Sequence, residues 1–126
     1  MLLTAQFLTN LQNVNSFDVQ SYATFTEGDS PDIYLQLVDA TNDNLRYVAA
    51  AGATLQVTVD HINDVRKLVR FATQPFSGDG SIWKLSLLST DQVLGTVSLK
   101  LKLTEGTKVT SAIVKGGLRV SSAVNL

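Results

Sequence analysis

The stretch GTVSLKLKLTEG, Gly95 to Gly106, sets Val97, Leu99, Leu101 and Leu103 in strict alternation with Ser98, Lys100 and Lys102. A period of two belongs to a β-strand, whose successive side chains point to opposite faces. A strand with one apolar and one polar face belongs to an antiparallel sheet that is dry on one side and wet on the other. The pattern recurs. Ile33, Leu35 and Leu37 alternate in DIYLQLVDA, Leu55, Val57 and Val59 in GATLQVTVDHI, and Trp83, Leu85 and Leu87 in IWKLSLLS.

Gly, Asn, Asp, Ser and Pro gather between these runs, in TEGDSPD, DATNDN, AAAG, SGDGS and TEGT, and this is turn chemistry. Strands are predicted near Ser21–Thr26, Asp32–Asp39, Thr54–Ile62, Lys67–Thr73, Ile82–Leu88, Thr96–Thr104, Lys108–Val114 and Gly117–Val124. Short strands at this spacing predict an all-β chain: an antiparallel Ig-like β-sandwich of about seven or eight strands, with at most one short helix. In DHINDVRKLVRFA, helical spacing competes with alternation, and a bend at Asn63-Asp64 leading into a strand is the expectation. LSTDQVLG, Leu88–Gly95, has room for one helical turn capped by Ser89 or Thr90.

A length of 126 residues suits one domain with its own core. The first 20 residues differ in texture. They are apolar, poor in charge and rich in Asn, and they alternate imperfectly. They read as an arm or edge strand ahead of a sandwich domain over residues 21–126. Leu3, Phe7, Leu8, Leu11 and Phe17 are then the candidate assembly residues, unless Leu3, Phe7 and Leu8 cover this domain's own core.

Composition excludes more than it suggests. The formal net charge is −1 and the ten cations are scattered, with no aromatic platform among them, so no nucleic-acid partner is expected. No run approaches the length of a membrane helix and no secretory leader is read at the N-terminus, so no membrane partner is expected either. The absence of cysteine removes disulfides, thiolate metal sites and a Cys nucleophile. His61 is the only histidine, and no G-x-S-x-G, phosphate loop or dinucleotide fingerprint occurs, so no enzyme and no cofactor are expected. The acids Glu27, Asp29 and Asp32 surround Gly28 and Pro31. They are candidate calcium ligands, but a tight turn opening a strand accounts for them better. KGGLR, Lys115–Arg119, reads as the hairpin turn before the last strand, and Trp83 as a core anchor whose N–H needs one acceptor.

Four segments together, FTEGDSPDIYLQLVDA, GATLQVTV, DGSIWKLSL and LGTVSLKLKLTEG, resemble a small β-sandwich module of tailed-phage virions, similar to the N-terminal domains of upper baseplate proteins. The resemblance spans roughly residues 21 to 105. It implies a non-enzymatic structural protein made in the host cytoplasm and located in the virion, as a capsid decoration, neck, tail or baseplate component. Its partners would be copies of itself and other virion proteins, in a homo-oligomer. No coiled coil or receptor-binding extension is read, which favours an architectural role over host binding. The rival expectation is a carbohydrate or cell-surface binding module, calcium-assisted through the loop acids.

Overall fold

The computed structural model describes residues 1–26, 28–29, 31–60, 70–87 and 95–121. Ten strands follow in order: β1 (Leu3–Asn13), β2 (Ser16–Gln20), β3 (Ala23–Thr26), β4 (Asp32–Asp39), β5 (Leu45–Arg46), β6 (Thr54–Asp60), β7 (Arg70–Pro75), β8 (Ile82–Leu87), β9 (Gly95–Glu105) and β10 (Lys108–Ser121). There is no helix among the described residues. The all-β expectation holds, with more strands than the seven or eight read from turn spacing. The expected helical turn at Leu88–Gly95, the bend at Asn63-Asp64 and His61 lie outside the described residues.

The strands form one continuous hydrogen-bonded sheet in the order β2-β1-β4-β8-β7-β6-β9-β10-β3, with β5 paired to β4. Every pairing is antiparallel except that of β3 with β10. The sheet coils around one core. Phe7 of β1, Leu35 of β4, Trp83 of β8, Phe71 of β7, Val57 of β6, Leu101 of β9 and Leu118 of β10 all belong to a single buried cluster. These are the inward members of the alternations seen in sequence, and their removal from water is the main driving force for the fold. Leu8, Val38 and Ile82 are buried as well, outside that cluster and on the opposite face of their strands.

Residues 1–20 form a hairpin. β1 lies between β2 and β4, and β2 is the sheet edge. The imperfect alternation has a local cause. Asn10 adopts φ +53°, the pairing register slips between Thr9 and Asn13, and the Asn10 amide donates to Asp18 across the bulge at 2.7 Å. The hairpin tip is tied down from elsewhere, since Arg46 donates to the Val14 carbonyl at 2.9 Å and its guanidinium lies over the Phe17 ring.

KGGLR does not turn the chain. β10 runs through it as one strand, with a register shift against β9 between Val114 and Leu118. Gly116 takes φ +61° and donates its N–H to the Ser98 hydroxyl at 3.3 Å. A Cβ at Gly117 would lie 2.8 Å from Val114 Cγ1 and 3.3 Å from Phe7 Cε2. The two glycines therefore make a bulge and a close approach between β10 and β1. Beyond the bulge, β3 pairs with Leu118–Ser121.

Trp83 is 2% exposed, and its indole N–H donates to the Gly80 carbonyl at 2.8 Å. The turn beneath it, SGDGS, is a knot of hydroxyls around one carboxylate. Ser77 and Ser81 both donate to Asp79 Oδ1, at 2.7 and 2.5 Å. Ser77 Oγ in turn accepts from the Ile82 N–H at 2.9 Å. The buried serines are thus satisfied, as burial requires.

Candidate assembly surface

The acidic segment between β3 and β4 behaves as a turn. The Asp29 N–H donates to the Thr26 carbonyl at 3.0 Å, and Gly28 between them has φ +92°. Asp32 already has cationic and hydroxyl company: Lys84 Nζ lies 3.5 Å from one carboxylate oxygen and Ser86 donates to the other at 3.2 Å. Glu27 lies outside the described residues. Among those described, no group of three His, Cys, Asp or Glu side chains comes together in a way that would hold a metal ion.

The carboxylates with the strongest perturbations also serve turns. Asp39 is held below its ordinary value chiefly by the Thr41 hydroxyl, with the Thr41 and Leu2 N–H groups adding to the effect. It opens DATNDN, the hairpin tip between β4 and β5, where Asp43 and Asn44 both take positive φ and Leu45 N–H closes onto the Asn42 carbonyl. Asp79 is lowered by Ser77 and then Ser81. Glu105 is lowered by the Tyr47 hydroxyl, 2.7 Å away, while Tyr47 is raised by the same bond. Glu105 also accepts from the Ala50 N–H at 3.0 Å, which fastens the segment after β5 to the β9–β10 turn. These groups have their hydrogen bonds committed to backbone architecture.

The surface with uncommitted bonding capacity is a strand edge. β10 pairs with β9 along one side, but on its other side β3 begins only at Leu118. From Lys108 to Gly117 that outer side has no hydrogen-bonded strand partner among the described residues, although β1 approaches it. An unpaired edge offers N–H and C=O groups to any extended chain that arrives. The first part of β1 is similarly open: it pairs with β4 from Leu3, whereas β2 joins it only at Phe7. β1 and β10 come together at Phe7 and Gly117 and flank a groove of about 480 Å³. Leu2, Leu3 and Thr4 line one side of it, and Ser111, Ala112 and Ile113 the other, with Lys100 and Ala40 at its margins. Leu2 and Ile113 are exposed there although they are large and apolar, and Val109 is exposed further along β10.

Charge is distributed unevenly around this edge. The first 45 residues contain six acids and no Lys or Arg. Lys100 and Lys102 stand on the outer face of β9, opposite the buried Leu99, Leu101 and Leu103, and are paired in register with Ile113 and Ser111. Lys108 and Lys115 are exposed on β10. Cations scattered along the sequence are thus gathered by the β9–β10 register.

No protein-family model matches this chain, and neither a curated protein nor a solved structure matches it.

Of the residues expected to mediate assembly, Leu3 and Phe7 point into the chain's own core and Leu8 is buried on the other face of β1. Leu11 and Phe17 are half-buried on the β1–β2 hairpin. Sequence reasoning passed over Val109 and Ile113. Their signal was present as apolar residues in a strand whose inward set, Ala112 and Val114, is of the opposite parity. No helix among the described residues is long and apolar enough to cross a membrane.

Proposed function

We propose that this chain is a non-enzymatic structural protein of a tailed-phage virion, acting through contacts with copies of itself and with other virion proteins. The coiled sheet would serve as an Ig-like sandwich whose two halves pack across the shared core. The observation that carries this reading is the long edge of β10 that has no strand pairing among the described residues, with Val109 and Ile113 exposed on the strand and Ile113 lining an apolar groove. Such an edge is a liability in a protein that works alone and an asset in one that assembles by strand addition. The resemblance of the four strand-and-turn segments to virion sandwich modules supports the same role. The test combines light scattering on the purified protein with cryo-microscopy of the particle made when it is expressed. A repeated lattice or ring position is the expected result. A strictly monomeric protein found nowhere in the particle would overturn the proposal.

One observation favours a carbohydrate or cell-surface binding module instead. Phe76, 42% exposed, packs edge-on against Tyr34 with ring centroids 5.2 Å apart, and Tyr34 lies on the face of β4 opposite Ile33 and Leu35, in register with Lys84, which pairs with Asp32. Aromatic faces beside hydrogen-bonding groups suit sugars. Glycan-array binding that is lost with Phe76→Ala, measured with and without a chelator, decides this alternative.

A further inference from the structure

We propose that copies of this chain join head to tail, the β2 edge of one subunit lying against the β10 edge of the next. This rests on the self-assembly reading above and specifies which surfaces meet. Three observations converge on it. Among the described residues, the sheet order leaves β2 as the terminal strand at one end, and at the other end leaves the outer side of β10 without a strand pairing from Lys108 to Gly117. Both edges carry apolar side chains out to solvent: Val19 is 47% exposed on β2, and Val109 and Ile113 are each 51% exposed on β10. The charges are complementary. Asp18 is the only charged side chain in the first 20 residues, whereas Lys100, Lys102, Lys108 and Lys115 surround the β10 edge.

Charge also disfavours the symmetric alternatives. Pairing β10 with a second β10 would bring two lysine-rich edges together, and pairing β2 with β2 would bring two Asp18 side chains near each other. Like charges directly across a strand pair are destabilising. Edge lysines commonly act as guards against sheet growth, but that guard rejects like edges while leaving an acidic edge welcome. The groove between Leu2–Thr4 and Ser111–Ile113 gives the incoming apolar side chains a place to go. Among the described residues none of Lys100, Lys102 and Lys115 makes an ion pair within its own chain, so their charge is available to a neighbour. A contact between unlike surfaces is heterologous and generates a ring or a filament.

The experiment uses two variants at exposed positions, Val19→Lys and Ile113→Lys, with circular dichroism melts to confirm that each folds. The wild type is expected to gain mass with concentration in light scattering, and less so as salt rises. Each variant alone is expected to associate about tenfold or more weakly, as for a lost apolar anchor. Mixed together, they are expected to form a one-to-one dimer, because each keeps the edge the other lacks. A wild type that associates while neither variant changes it overturns the head-to-tail contact and leaves the assembly reading standing. Loss of association in one variant alone, or a mixture that stays monomeric, also overturns it. A wild-type monomer that is nevertheless present in particles overturns this contact only; a monomer absent from particles overturns both. Should either variant fail to fold, hydrogen exchange on the wild type at low and high concentration reads the same contact. Protection gained jointly in Ser16–Gln20 and Lys108–Gly117 supports it, and protection gained elsewhere overturns it.

Discussion

At the scale of single residues, the SGDGS turn shows how polar atoms hold an apolar anchor in place. Gly80 has φ +68°, and a Cβ there would sit 3.0 Å from the Ala49 Cβ, so Gly80→Ala meets both a backbone and a steric obstacle. The left-handed conformation alone costs about 1–2 kcal/mol for a residue with a Cβ, and a urea titration should show at least that loss. Ser77→Ala leaves the Ile82 N–H without the hydroxyl it donates to, and should cost about 1–3 kcal/mol in the same assay. The Tyr47–Glu105 bond makes a prediction in pH. Glu105 is lowered in the fold, so its contribution is complete above the ordinary carboxylate value and is lost as pH falls through the lowered one. Tyr47 is raised, so its contribution is complete below the ordinary tyrosine value and is lost as pH rises through the raised one. Tyr47→Phe should therefore flatten both the acid and the alkaline limbs of a stability–pH curve followed by thermal melts. Trp83 was legible as a core residue from its alternating strand. The serines that close the turn below it were not, because hydroxyl-to-carboxylate closure depends on a turn geometry that composition does not specify.

At the scale of elements, β1 decides how the first 20 residues behave. It is flanked on both sides and supplies Leu3, Ala5 and Phe7 to the core, so Phe7→Ala should cost about 3–5 kcal/mol. Deleting residues 1–13 should abolish cooperative unfolding, measured by near-ultraviolet circular dichroism during a melt; a removable arm would leave the transition intact. The strands with clean alternation, β4, β6, β8 and β9, were readable almost residue by residue. β1 was not, because the bulge at Asn10 interrupts its parity. KGGLR was misread for a related reason. Two glycines have the same local grammar in a hairpin and in a bulge, and the choice is made by residues far away: Ser98, which accepts from Gly116, and Phe7, which packs where Gly117 has no side chain.

At the scale of the whole molecule, all-β character followed from periodicity, but the path of the sheet did not. Strand order depends on which edges meet, and alternation is silent about that. The candidate surface was hidden for the same reason. Val109 and Ile113 stand out only once the register of β10 has shown which parity faces inward, and the lysines form a group only after β9 and β10 are laid side by side. If this surface carries assembly, a variant with both Lys100→Glu and Lys102→Glu should associate more weakly than the wild type at low salt and lose most of its dependence on salt, because screening then has less attraction to remove. Sedimentation at two ionic strengths measures this.

The parallel pairing of β3 with the end of β10 joins residues near the two extremes of the described chain. Long-range pairings of this kind are slow to form, because the intervening loop must close before any contact rewards it. A nascent chain can make the β1–β2 and β1–β4 pairs early, yet it has no β10 edge to offer until β10 has been synthesised and docked. If the β10 edge carries assembly, the order of the strands itself limits association during translation, because the adhesive surface forms only after β10 has docked on β9.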